Sequence, residues 1–127
     1  MRILLDTHVA LALLRRTFEQ QHPDLARRLE DPSTIGFVSV ASLWEIAIKT
    51  RLGKLDPGMP LQDLAGYLEA VGLAILPILA IHVMVIAEPE PETRDPFDRL
   101  LLAQCQVERL RLVTMDRALL GHPLTLS

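Results

Sequence analysis

The stretch 2-RILLDTHVALALLRR-16 begins with a short apolar run, stops at Asp6, and resumes as a series of helix formers that ends in Arg15 and Arg16. A short apolar run closed by an acid reads as a buried strand, and Ala and Leu leading into a basic last turn read as a helix. A strand that passes straight into a helix has no hairpin partner, so its neighbours must arrive by crossover connections. That is how a parallel sheet is built.

The rest of the chain repeats the pattern. A helix is expected at 23-PDLARRLE-30, opened by proline and an acid, and a buried strand at the β-branched and aromatic 35-IGFVSV-40. Ser42 is the expected cap of a helix over 43-LWEIAIKTR-51, which stops at Gly53. After a loop marked by Pro57, Gly58 and Pro60, 61-LQDLAGYLEAV-71 sets Leu61, Leu64, Ala65 and Leu68 on one helical face, with Gly72 as the stop. A strand at 73-LAIL-76 ends at Pro77, and 80-AIHVMVIAE-88 reads as a short apolar helix before the loop 89-PEPETRDP-96. Then come a helix at 97-FDRLLLAQCQVERL-110, a strand at 112-LVT-114, a helical piece at 117-RALL-120 and a terminal strand at 124-LTL-126. Strands alternating with helices predict an α/β three-layer sandwich with a short central parallel sheet. Residues 1–127 make one domain.

Composition narrows the function classes. Half of the 127 residues are hydrophobic and 23% are charged, the profile of a folded globular chain. The longest apolar run, 71-VGLAILPILAI-81, is broken by Pro77 and falls short of the roughly 20 residues a membrane span needs. Asp6 interrupts the apolar N-terminus, and no small-residue cleavage site follows. Cys105, the single cysteine, excludes an internal disulfide and a cysteine metal site; core packing and a cytoplasmic location are expected. A net charge of −3 provides no overall basic footprint, so a nucleic-acid role would need local sites.

In an open parallel sheet, ligands bind outside the carboxyl ends of the strands. Asp6 and Asp116 follow two predicted strands, while Glu45 and Asp98 fall in the first turns of helices expected to start near the same edge. Capping and helix dipoles alone favour acids at such places. Glu45 is harder to explain that way, because Leu43, Trp44, Ile46, Ala47 and Ile48 make its helix apolar on nearly every side, leaving Lys49 as its polar neighbour one turn on. Carboxylates gathered in one place repel one another unless a cation neutralises them. Oxygen-only ligands suit Mg²⁺ or Mn²⁺; zinc would want paired histidines, and His8, His22, His82 and His122 show no such spacing. The histidines are therefore expected in packing or surface roles. A carboxylate-held Mg²⁺ that activates water suggests a nuclease or phosphohydrolase. In 94-RDPFDRLLLAQC-105, Asp95 is placed as N-cap, Pro96 at the first helical position and Asp98 at the third, so Asp95 supports and Asp98 ligates.

The segments ILLDTH (3–8), SVASLWEIAIKTRLGKL (39–55), RDPFDRLLLAQ (94–104) and LVTMD (112–116) closely resemble the PIN-domain family, particularly the VapC-type toxins of bacterial toxin–antitoxin modules. The resemblance implies a small, usually dimeric, Mg²⁺- or Mn²⁺-dependent endoribonuclease that a co-expressed antitoxin holds inactive. It matches Asp6, Glu45 and Asp98 to the three core acids, Asp116 to a fourth, and Thr7 and Thr114 to polar positions beside them. It departs at EPEPET (88–93), where similar proteins often carry a shorter stretch containing histidine. Lys49, Arg94, Arg99 and Arg117 each neighbour a proposed ligand and are candidate RNA or antitoxin contacts. An exposed apolar face on the helices between 43 and 71 is the expected dimer seat. A catalytically silent PIN-fold binding or regulatory protein is the alternative. A haloacid-dehalogenase-type phosphatase would need an acid where His8 stands, and a response-receiver domain would not place Glu45 in an apolar helix.

Overall fold

The structure, a computed structural model, describes residues 1–126; Ser127 lies outside the described residues. Four strands form one sheet: β1 (Arg2–Leu5), β2 (Ile35–Ser39), β3 (Ala74–Leu76) and β4 (Arg111–Val113). Their order is β3-β2-β1-β4 and every pairing is parallel, as the alternating pattern predicts. The chain builds outward from β1 to β3 on one side and then returns to add β4 on the other. The switch point, where an open α/β sheet leaves a crevice, therefore lies between β1 and β4.

Successive strand side chains point to opposite faces, so β1 feeds two cores. Ile3 and Leu5 join Val9 and Leu14 of α1 (Thr7–Leu14) and Leu64 and Leu68 of α5 (Leu64–Ala70). Leu4 joins Leu101, Leu102 and Cys105 of α7 (Pro96–Glu108) and Leu119 of α8 (Arg117–Leu120). Helix α4 (Val40–Arg51) packs against both α1 and α7 and so bridges the two layers. The remaining helices are α2 (Phe18–Gln21), α3 (Pro23–Glu30) and α6 (Ala80–Met84).

Several element boundaries differ from expectation for local reasons. Helix α4 starts at Val40, and its cap is Ser39, whose Oγ accepts from Ala41 N at 3.0 Å. Strand β2 therefore turns into α4 without a linker. Ser42 is a buried helix residue instead of a cap, and Glu45 sits in the second turn. The first turn of the segment expected at 61–71 is a 3-10 helix over Leu61–Asp63. Helix α6 stops at Met84 because Val85 is already extended, so the expected helix to 88 is cut short. The terminal strand reduces to one parallel bridge, Leu112 to Thr125, held by Leu112 N to Leu124 O and Leu126 N to Leu112 O, both 2.8 Å. Helix α2, absent from the sequence reading, is four residues long with Phe18 buried beneath it.

Buried polar groups tie the sheet to α7. Ser39 Oγ donates to Gln104 Oε1 at 2.6 Å, and Gln104 Nε2 donates to Pro77 O at 3.2 Å. One fully buried amide thus locks the ends of β2 and β3. A cavity of about 470 Å³ lies near the opposite, amino end of the sheet, lined in part by Arg16, Leu29, Gly36 and Leu73 and remote from the acids. Among the described residues no helix is long and apolar enough to cross a membrane.

Candidate active site

The strand ends set the site. Leu5 is level with Val38 on one side and Val113 on the other, so the residues that follow them, Asp6, Ser39 and Thr114, emerge side by side at the carboxyl edge. Asp6 is the N-cap of α1, its Oδ1 accepting from Val9 N at 2.9 Å, while its Oδ2 accepts from Thr114 Oγ1. The carboxylate is 4% exposed. Burial pushes its pKa up, against the pull of the Thr114 and Val9 hydrogen bonds, and the Asp116 charge adds to the rise.

Glu45 reaches the same edge from α4. Its Oε1 accepts from Thr7 Oγ1 at 2.7 Å and its Oε2 from Lys49 Nζ at 2.6 Å. The ion pair joins a buried carboxylate to a part-exposed amine, unlike a solvated i,i+4 pair on a helix surface. Lys49 is held above the usual lysine range first by that hydrogen bond, and the charges of Glu45, Asp95 and Asp98 act in the same direction. Ser42 Oγ lies 3.1 Å from Thr7 Oγ1 and, with the single Thr7 proton on Glu45, is the donor of that pair, so Ser42 is part of the support although nothing in its sequence position singled it out beyond capping.

Asp98 arrives from the other side. Asp95 caps α7, its Oδ1 accepting from Phe97 N at 2.8 Å and Asp98 N at 3.4 Å, with Pro96 at the first helical position. The cap falls on Asp95, as the spacing implies. Asp98 is half-buried, and its carboxyl is pushed up to about 6 by burial first, then by the charges of Asp95, Asp116, Glu45 and Asp6. Those four acids therefore bear on Asp98 together. Asp116 caps α8 through Ala118 N at 2.9 Å, and its own N–H donates to Thr114 Oγ1 at 3.0 Å. Trp44 of α4 meets Phe97 of α7 edge-on at 5.7 Å, bracing the helices that carry Glu45 and Asp98. Thr93, not singled out in the sequence, donates from Oγ1 to Asp98 Oδ2 at 3.4 Å and accepts from Asp95 N at 3.2 Å.

The candidate cations divide. Lys49 lies in the acid cluster, and Arg94 and Arg117 are exposed at the first residues around α7 and α8. Arg99 instead folds back on the preceding loop, donating from Nε to Thr93 O at 2.7 Å and from Nη2 to Pro91 O at 2.9 Å, with Glu90 beyond. The EPEPET departure is the loop that this arginine clamps. Cys105 is buried in the core, and burial pushes its thiol up to about 12, in keeping with a packing role. His82 is a buried packing residue, as expected for the histidines.

An all-oxygen donor set of four acids against one lysine suits a hard divalent cation and does not suit zinc. Asp6, Glu45, Asp98 and Asp116 are the residues that would hold it, Glu45 being paired with Lys49 as well. Among the described residues no three acids, histidines or cysteines stand in a metal-holding group, and Asp6, Glu45 and Asp116 each accept from a protein donor.

A doubly wound parallel sheet with acids converging on its switch point defines a class of carboxylate-edge α/β domain. The family model described as PIN domain matches residues 3–121, and the chain belongs to that family. Two solved structures share the fold. VapBC2 from Rickettsia felis bound to a DNA fragment from its promoter aligns at a TM-score of 0.62 and 15% identity over 99% of this chain and 96% of the other. A toxin-antitoxin complex from Klebsiella pneumoniae aligns at 0.59 and 20% identity over 98% and 96%. No curated protein matches the chain significantly in sequence.

Proposed function

We propose that the protein is a divalent-metal-dependent endoribonuclease and the toxin of a toxin–antitoxin pair, acting as a homodimer in the cytoplasm until its antitoxin captures it. The observation that carries the reading is the placement of Asp6, Asp98 and Asp116 at helix starts on the carboxyl edge of a PIN domain, where burial and then the charges of Asp95, Asp116, Glu45 and Asp6 raise the Asp98 carboxyl. Repelling acids kept together at the crevice of a parallel sheet are the mark of a cation site. The antitoxin partner is suggested by the two toxin–antitoxin complexes of like fold.

Bound Mg²⁺ or Mn²⁺ supplies a water of lowered pKa for attack on phosphorus. The chain's own residues do the rest. Asp6 opens α1, Asp98 stands in the first turn of α7, and Asp95 fixes the direction of α7. Lys49, kept charged by Glu45, offers a cation to a phosphate oxygen, and Arg94 and Arg117 extend that support outward, while Arg99 serves the loop.

The test is cleavage of structured RNA by the purified chain with Mg²⁺ or Mn²⁺. Activity lost with EDTA and in Asp98→Asn supports the reading. Cleavage that persists in EDTA, or an inert wild type that still binds its antitoxin, sinks it in favour of a silent PIN-fold binding protein.

A further inference from the structure

Two helices that carry acids of the site also carry an aromatic ring one residue earlier: Trp44 before Glu45 in α4 and Phe97 before Asp98 in α7. Adjacent Cα atoms are about 3.8 Å apart, so both rings are rooted beside the acids. The rings meet with their centroids 5.7 Å apart and their planes at 72°. In an edge-to-face pair, one ring presents its edge and the other is covered on a single face. The indole therefore keeps at least one face that Phe97 does not cover, and Trp44 is 56% exposed.

The other aromatic side chains are better covered: Phe18 is buried, and Phe37, Tyr67 and Phe97 are half-buried. Charged groups flank the pair of rings, with Glu45 next to Trp44, Lys49 on Glu45, and Asp95 and Asp98 on either side of Phe97. The contrast is α6, where the exposed Ile81, Val83 and Met84 gather around a wholly buried His82. That histidine accepts from Leu79 N at 2.9 Å through Nδ1, pairs with Glu108 Oε2 at 2.7 Å through Nε2, and lies 3.3 Å from Gln104 Nε2. An aromatic face bordered by charge suits a ligand that is itself flat, aromatic and charged. A nucleotide is all three.

We propose that Trp44 is a stacking site for an unpaired base of single-stranded RNA, beside the phosphate that the acids address. The inference rests on the proposed nuclease reading and adds to it the form of the substrate. A base within a duplex has both faces covered, so only an unstacked base can lie on the indole, and the loops of a structured RNA supply such bases. Stacking needs no cation. In a chain of net charge −3 with four acids at its site, the ring can hold RNA where the overall field does not. Every base has a π-face, so Trp44 selects for strandedness and leaves sequence to other contacts.

Trp44 is the single tryptophan, so its emission reports on the site directly. The test uses the full chain carrying Asp98→Asn, with Mg²⁺, so that RNA is bound and not cut, while cleavage by wild type is measured alongside. A labelled single-stranded oligoribonucleotide should quench the emission to saturation, and the same strand in a blunt duplex should leave it unchanged. By anisotropy, Trp44→Ala should weaken binding of the strand on the order of 10-fold. Trp44→Phe, which keeps an aromatic face, should cost less, and Leu52→Ala, an exposed side chain at the far end of α4, nothing. The quench is read on the native side chain, so it decides even where a substitution disturbs the fold. RNA bound with the emission unmoved overturns the proposal, as does a duplex that quenches like the strand. Emission moved by the antitoxin or by dilution of a dimer, and not by RNA, assigns the ring to a protein contact and also overturns it. Wild type that cuts RNA while the emission stays unmoved removes the stacking site and leaves the nuclease reading standing; RNA neither bound nor cut removes both.

Discussion

Replacing Asp98 by Asn should make the metal-free protein more stable at neutral pH. The carboxyl rises from 3.8 to about 6 through burial and the charges of four neighbouring acids. A shift of that size corresponds to about 3 kcal/mol of penalty on the ionised form. Because Asp98 is only half-buried, solvent screening brings this nearer about 1.5 kcal/mol. The variant also forgoes the favourable position of an anion in the first turn of α7, about 0.5 kcal/mol, leaving a net gain of about 1 kcal/mol. The folded state holds the Asp98 proton more tightly than the unfolded chain, so wild-type stability falls as pH rises from about 4 to about 6 and stays low above. The gain from Asn is therefore absent below about pH 4 and complete above about pH 6. Asp6, also raised by burial, contributes the same sign in both proteins. Urea midpoints at the two ends of that window measure the difference, and added Mg²⁺ should narrow it by stabilising wild type. An Asn variant that is less stable than wild type at neutral pH, or a difference that does not change with pH, would refute the reasoning.

Asp95→Ala removes the cap of α7, and chemical denaturation should show a loss of about 1 kcal/mol; failure of metal binding without destabilisation would reverse the roles assigned to Asp95 and Asp98. His82→Ala strips partners from Leu79 N, Glu108 and Gln104 and empties a buried volume, so a thermal melt should reveal a loss of about 2–4 kcal/mol. Cys105, with its thiol pushed up to about 12 inside the core, should resist a thiol reagent in the native protein and react at the rate of unfolding. Rapid native labelling would contradict that burial.

The sheet was legible because each strand is a short apolar run that stops at a residue able to cap the next helix, as Asp6 and Ser39 both do. The acids were legible for a related reason: Asp6, Asp98 and Asp116 lie at the openings of helices, positions that local sequence defines. The start of α4 was misread because Val40 continues a β-branched run and Ser42 offers a second plausible cap; proximity decided for Ser39, whose hydroxyl already reaches Ala41 N. Helix α6 was overextended because an apolar run implies burial, and here burial falls to His82 alone within the helix. The tie of Arg99 to Thr93 and Pro91 carbonyls depends on how a loop folds back, and the meeting of Gln104 with Ser39 spans 65 positions. Neither has a local signature.

The outermost strands, β3 and β4, are three residues each. Pro77, which lacks an amide hydrogen, follows β3 at once, and the bridge from Leu112 to Thr125 already occupies backbone groups on the open side of β4. Strand-by-strand extension of the sheet by another polypeptide is thereby discouraged at both margins, a safeguard against fibrous aggregation. A chain that leaves hydrophobic side chains on its surface can stay dispersed if its backbone gives newcomers so little to copy.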